Sequence, residues 1–335
     1  SSTVINVTVA IGAAIVLQNV WALVFGSLAG SVMTFLASYV IHGYRPWPEL
    51  HRGIATELFD YGKWILGSGI VLFLINQGDD AFVGWFLGAS ALGFYQLAYR
   101  FSNAPATEVT HIISRVIFPT YSQIQTDTEK LRAGYFRTIQ IITVISFPMA
   151  VGIAVVAPTF VRAVLGEQWI PMILAMQILA FWGIIRSLGA AVGPLFDALG
   201  RPDVNTKLQT LKLVIIAIFI YPATAQWGIT GTALVIVGNA LISNPIADYL
   251  AVKAVDGEIR EFIRLLLYPA ISSLLMGVSV LFVQMNLSFG SQLLKFVILV
   301  LTGILIYTVA IIAIEKQFNY GLEPTLQSVI SAVKG

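Results

Sequence analysis

Long apolar stretches alternate with short polar turns from Val4 to Ile314. About ten of them reach membrane-spanning length, roughly 20 residues at 1.5 Å rise each. They run at about 4–18, 20–41, 62–85, 89–117, 138–160, 172–197, 208–225, 228–251, 265–285 and 292–314. Helices are predicted throughout, because in hydrocarbon each backbone amide must be satisfied within its own segment. Barrel strands would read as short alternating stretches instead. The pattern predicts an all-α, polytopic membrane protein.

The polar turns fall into two kinds. Fourteen of the 19 Lys and Arg residues lie in or beside every second loop, counting the tail. Arg45, Arg52 and Lys63 form one cluster; Lys130, Arg132 and Arg137 form the next. Arg201, Lys207 and Lys212 follow, then Lys253, Arg260 and Arg264, then Lys316 and Lys334. The opposite turns hold only Arg162 and Lys295. Cytoplasmic loops carry such an excess of basic residues. The alternation predicts a multi-pass protein of the cytoplasmic membrane with both ends of this chain cytoplasmic.

Composition narrows the chemistry. The chain is 57% hydrophobic and 11% charged, where soluble domains are about 25% charged. A net charge of +2 gives no broad basic field, so nucleic acid is not an expected partner. No cysteine is present, which excludes disulfides and thiolate chemistry. His42, His51 and His111 show no ligand spacing, so neither a metal nor another cofactor is expected. No phosphate loop or nucleophile elbow is present. Ser1-Ser2-Thr3 runs directly into an apolar stretch, which reads as a truncated N-terminus.

Val20-Trp21-Ala22-Leu23-Val24 and Gln226-Trp227-Gly228-Ile229-Thr230 each put a Trp at the outer end of a helix pair. An interfacial Trp belt would produce the same pattern. Read as a repeat, it matches helices one and two to helices seven and eight. Residues 62–254 then form a complete six-helix lobe. Residues 1–41 are the last two helices of an N-terminal lobe, joined by a cytoplasmic linker at 42–61. Four helices would precede them. Two lobes facing each other across a cavity is a transporter architecture.

Charges inside the spans are the candidate functional residues. On the fourth helix Gln96, Arg100, Glu108, His111 and Arg115 share an arc of about 120° at about 100° per residue. Ala104 lies in the same stripe, and Pro105 can kink the helix. Such a face cannot point at lipid, where a charge costs several kcal/mol. It lines a wet cavity that grips an anionic substrate, or it forms a buried ion-pair network through Glu108. Arg186 sits near the middle of the sixth helix with no acid within one turn. It reads as a pathway residue, or as the partner of an acid on another helix such as Glu108. Asp79 and Asp80 are candidates for an ion site or for a structural pair, Asp79 reaching Arg100 across an antiparallel hairpin. Asp248 reads as a solvated helix terminus. Gly26-x3-Gly30, Gly84-x3-Gly88 and Gly189-x3-Gly193 read as close helix contacts.

The run Asn76-Gln77-Gly78-Asp79, Gly84, Leu87-Gly88 and Ala91-Leu92-Gly93-Phe94-Tyr95-Gln96-Leu97-Ala98-Tyr99-Arg100 resembles the polysaccharide transporter and O-antigen flippase family. Phe118-Pro119, Pro158, Gly166-Glu167-Gln168-Trp169 and Ala198-Leu199-Gly200-Arg201-Pro202 extend the resemblance over about residues 60–205. The family lies within the multidrug/oligosaccharidyl-lipid/polysaccharide exporter superfamily. The resemblance implies two six-helix lobes, with 265–314 as two supplementary helices and 315–335 as a cytoplasmic tail. It implies flipping of a polyprenyl-diphosphate-linked oligosaccharide, without covalent chemistry, with a coupling cation or proton as a further expected partner. Family members often carry a basic residue after the aspartate; this chain has Asp80.

On that reading Arg100, Arg115 and Arg186 hold the diphosphate, His111 titrates beside them and Glu108 orients them. A multidrug or organic-cation antiporter of the same superfamily is the alternative, and would need an acidic, aromatic cavity. A membrane enzyme would need paired acids in a large loop, and no loop exceeds about 20 residues.

Overall fold

The computed structural model describes residues 2–41, 53, 73–74, 76–286, 290–318 and 320–321. No strand occurs among the described residues. The linker expected at 42–61 and the tail at 315–335 lie largely outside them. The chain divides into two units, Ser1–Ser68 and Gly69–Gly335.

In the first unit, α1 (Ser2–Leu17) and α2 (Trp21–Ile41) form a hairpin. The turn is made by Gln18, with φ 46°, and by Asn19, whose Oδ1 accepts from Trp21 N at 3.0 Å. Gly26 permits the close approach. A Cβ there would stand 2.6 Å from Ala10 Cβ and 2.8 Å from Asn6 O. Lipid-facing helices gain no hydrophobic drive from pairing, so small residues that let backbones touch decide their association.

The second unit holds α3 (76–87), α4 (Ala89–Ile124) and α5 (Thr128–Phe160). A π turn (Val161–Leu165) and a 3-10 turn (Glu167–Met172) lead into α6 (Ile173–Ala198). Then come α7 (Pro202–Ala254), α8 (Ile259–Asn286) and α9 (Gln292–Phe318). Among the described residues six helices are long and apolar enough to cross a membrane: α2, α5 with its π turn, α6 with its 3-10 turn, α7, α8 and α9. The ten segments drawn from the sequence also include the short α1, the polar-striped α4, a second arm within α7, and 62–85, whose first half lies largely outside the described residues.

That second arm comes from a reversal. Gly228 takes φ 56° and ψ −140°, outside helical space and suited to glycine. Thr224 Oγ1 and Thr232 Oγ1 stand 2.9 Å apart, whereas eight residues of straight helix would separate them by about 12 Å. Gly231 abuts the carbonyl of Ala223. α7 is therefore a hairpin, and its arms match the segments read at 208–225 and 228–251. Trp21 opens α2 and Trp227 precedes the reversal at Gly228; they are 62% and 58% exposed.

α5 and α6 form the centre of this unit. α6 packs on α4, α5 and α7; α5 also packs on α8 and α9, which pack on each other. One apolar core joins Tyr121, Tyr135, Leu195, Phe196, Ala251 and Val255 at the end that carries the basic loops. A second, toward the other end, joins Val83, Tyr95, Ala98, Val161, Met172 and Leu179. Gly84 would bring a Cβ within 3.0 Å of Leu92 Cδ2, as a close-contact glycine should. Gly189 and Gly193 behave otherwise. Among the described residues nothing lies within 4 Å of a Cβ at either, so this pair makes no tight helix contact there. The spacing matched, but the face it lies on meets no neighbour at that distance.

Candidate functional site

Arg186 lies half-way along the 26-residue α6 and is half-buried. Its Nη1 donates to Tyr99 Oη on α4 at 3.1 Å. Trp182, one turn before it, donates its Nε1 to the same oxygen at 3.4 Å. A phenol oxygen has two acceptor positions and one O–H to give. Both acceptor positions are thus engaged, and the hydroxyl proton of Tyr99 is left for a third group. Among the described residues no carboxylate comes within 4.0 Å of Arg186 or Arg100. The guanidinium of Arg186 is therefore held in place by neutral aromatic partners, with its charge uncompensated among the described groups.

The face of α4 divides sharply. Tyr95, Ala98, Ser102 and Asn103 are buried; Gln96, Arg100 and Ala104 are exposed. Ser102 Oγ donates to Met176 O at 2.7 Å, which fixes α4 against α6. Asn103 Nδ2 donates to Tyr99 O at 3.1 Å, and its buried Oδ1 has no partner among the described residues. The first part of the expected stripe therefore turns away from the core of its own unit. Glu108, His111 and Arg115 continue along α4, but their side chains lie outside the described residues.

Asp79 and Asp80 are held by hydrogen bonds. Tyr95 Oη donates to Asp79 Oδ2 at 2.8 Å, and Gln96 Nε2 donates to Asp80 Oδ2 at 3.1 Å. The expected Asp79–Arg100 pair is not formed among the described residues. The α3–α4 hairpin turns at Gly88 (φ 89°), which sets residue 79 level with 95 and leaves Arg100 more than a turn beyond. Asp248 also departs from its reading as a solvated terminus. It is 8% exposed, beside the core of the second α7 arm.

A largely apolar cavity of about 550 Å³ opens between α5, α8 and α9, with Phe101 of α4 and Met176 of α6 at its inner wall. Met276, Phe296, Gly303 and Tyr307 line the rest. Beside it Gly277 lets α8 approach α5 closely, since a Cβ there would come within 2.8 Å of Val151 Cγ1.

A family described as polysaccharide biosynthesis protein matches residues 1–174, over half of the 335-residue chain. The chain belongs to this family.

Similar members include lipopolysaccharide biosynthesis protein WzxC of Escherichia coli (strain K12), 29% identical over 78% of this chain and 54% of its own length. Teichuronic acid biosynthesis protein TuaB of Bacillus subtilis (strain 168) is 26% identical over 68% of this chain and 47% of its own. Probable low-salt glycan biosynthesis flippase Agl15 of Haloferax volcanii is 25% identical over 86% and 60%. The chain spans about half the length of the curated relatives it matches. Among solved structures, lipid II flippase MurJ in an inward closed conformation superposes with a TM-score of 0.75 at 15% identity, covering 94% of this chain and 67% of that one. That likeness establishes the fold of a polytopic membrane protein.

In this member of the polysaccharide biosynthesis family, two groups escaped the sequence reading. Tyr99 sits one position from Arg100 and therefore about 100° around the helix, off the polar stripe. Its signal was a polar-tipped aromatic beside a charged position. Trp182 was hidden as an ordinary apolar residue one turn from Arg186.

Proposed function

We propose that the protein moves a polyprenyl-diphosphate-linked oligosaccharide across the cytoplasmic membrane by alternating access of two lobes, for surface polysaccharide or glycan assembly. The observation that carries this reading is Arg186, a mid-helix guanidinium with no counter-charge among the described residues, fixed by Tyr99 and Trp182. A diphosphate is a fitting partner, because a planar guanidinium binds phosphate oxygens in pairs. Arg100, Arg115 and His111 extend the cationic lining along α4, with Glu108 orienting them. The relatives' names, which speak of lipopolysaccharide, teichuronic acid and glycan biosynthesis, support the same class of cargo.

The lobes follow from the repeat. Residues 1–41 complete an N-terminal lobe, 62–254 form the other, and 265–314 are supplementary. The basic loops and both ends of the chain face the cytoplasm. The apolar cavity between α5, α8 and α9 suits a lipid chain that stays in the bilayer while the head group crosses. No covalent step is required, and the protein acts as a transporter, not an enzyme.

The test is reconstitution of the full-length protein with a fluorescent polyprenyl-diphosphate sugar, scoring which leaflet exposes it. Protein-dependent exposure in the outer leaflet is expected. Exposure no faster than in empty vesicles, with the protein folded, overturns the reading.

A further inference from the structure

The end of the second unit that carries the basic loops contains a buried carboxylate that the transport site does not use. Asp248 stands on the second arm of α7, between Ala247 and Ala251 of the apolar core. It accepts no hydrogen bond from the described residues. On the facing arm Lys212 is half-buried and within electrostatic reach of it. The hairpin register explains this, since residue 224 opposite 232 sets 212 within about a turn of 248. The two do not form a direct ion pair.

α5 supplies the second feature. Tyr135 is fully buried, lies within electrostatic reach of Asp248, and its Oη has no partner among the described residues. Behind it stands Tyr121 of α4, buried to the same degree, with Thr138 beside its hydroxyl. α6 contributes Ala191 and Leu195 to this core, among others, and α8 contributes Phe262. On the same arm Lys253 lies over the ring of Tyr249 at 4.8 Å. Buried polar atoms without partners mark a place where something is exchanged or absent.

We propose that Asp248 is a proton-binding site that sets the spacing of the two α7 arms at their basic end. A metal cation fits poorly. One carboxylate is available, Lys212 already brings a positive charge, and no cluster of three acidic or histidine ligands occurs among the described residues. A proton fits both states. Ionised Asp248 attracts Lys212 and draws the arms together. Protonated Asp248 loses that attraction and donates its O–H to Tyr135 Oη, the acceptor left open. No bond other than O–H is made or broken, and the proton comes from water. One proton of linkage shifts such a two-state balance by at most about tenfold per pH unit. Use of the shift to couple export to a proton gradient rests on the transport reading above; the protonation does not.

The chain contains no cysteine, so labelling can be confined to chosen positions. Spin labels at Gln209→Cys and Lys253→Cys, both exposed, report the spacing of the arms in the full-length protein in lipid nanodiscs. Between about pH 5 and 9 the distance distribution is expected to lengthen toward acid. Difference infrared spectra should show a protonated-carboxyl band over the same range. Asp248→Asn should remove that band and hold the long distance at every pH. Lys212→Met should abolish the pH response, and Asp197→Asn, an exposed acid at the same end, should leave it intact. A distance indifferent to pH, a band that survives Asp248→Asn, or a response lost in Asp197→Asn overturns the proposal. Failure of the sugar-lipid assay with the pH response intact overturns the transport reading and leaves this site standing.

Discussion

Arg186 Nη1 donates to Tyr99 Oη at 3.1 Å, joining the middle of α6 to α4. The contact turns a flexible side chain into a fixed positive group, because the phenol sets its direction and Trp182 braces the same oxygen. Arg186→Glu should reduce flipping to background while the protein remains folded. Arg186→Lys keeps the charge and loses the planar fork, so an intermediate rate is expected. Tyr99→Phe removes one hydrogen bond to a charged group, worth about 1.5–3 kcal/mol, and should slow flipping by about tenfold or more. Leaflet exposure of the labelled sugar lipid measures all three. A wild-type rate in well-folded Arg186→Glu removes this residue from the pathway.

Tyr95 and Asp79 tie α3 to α4 in a different way. The buried phenol is the only described side-chain donor to Asp79. Tyr95→Phe keeps the packing volume and strands the carboxylate, at a cost of about 1–3 kcal/mol. Thermal unfolding in detergent should drop by several degrees. Asp79→Asn, which can still accept from Tyr95, should cost less. Equal stability of Tyr95→Phe and wild type would show that water satisfies Asp79 as well as the phenol does.

The α7 hairpin depends on glycine at its turn. Gly231 lies against the Ala223 carbonyl, where backbone cannot yield cheaply. Gly231→Val should lower expression and melting temperature sharply. Gly238, on the same arm with open space at its Cβ position, should accept alanine with a change below about 1 kcal/mol. Size-exclusion profiles and melting curves of the two variants give the comparison, and similar behaviour of both would contradict the reversal at Gly228.

Arg132 Nη2 and Glu261 Oε2 meet at 2.8 Å between α5 and α8, both well exposed. An exposed pair is worth about 0–1 kcal/mol. Arg132→Ala is expected to shift the melting temperature only slightly, and by less still in high salt. A large loss would mean that this contact, and not the apolar packing behind it, fastens α8 to α5.

The amino-acid sequence alone determined the class of this protein, the position of most of its helices and the stripe that begins with Gln96, Arg100 and Ala104. These properties are one-dimensional: hydropathy follows residue by residue, loop charge alternates along the chain, and helical period fixes which side chains share a face. It also marked Arg186 as costly to bury without purpose. Only the tertiary structure decided the partners. Asp79 met Tyr95 and not Arg100 because the turn at Gly88 sets the register of α3 against α4. Asp248 became buried because α7 folds back at Gly228 against α5 and α6. A slip of one turn, about 5.4 Å along a helix axis, exchanges one partner for another without altering hydropathy or charge pattern. Register between helices is a property of the packed bundle, and no single segment contains it.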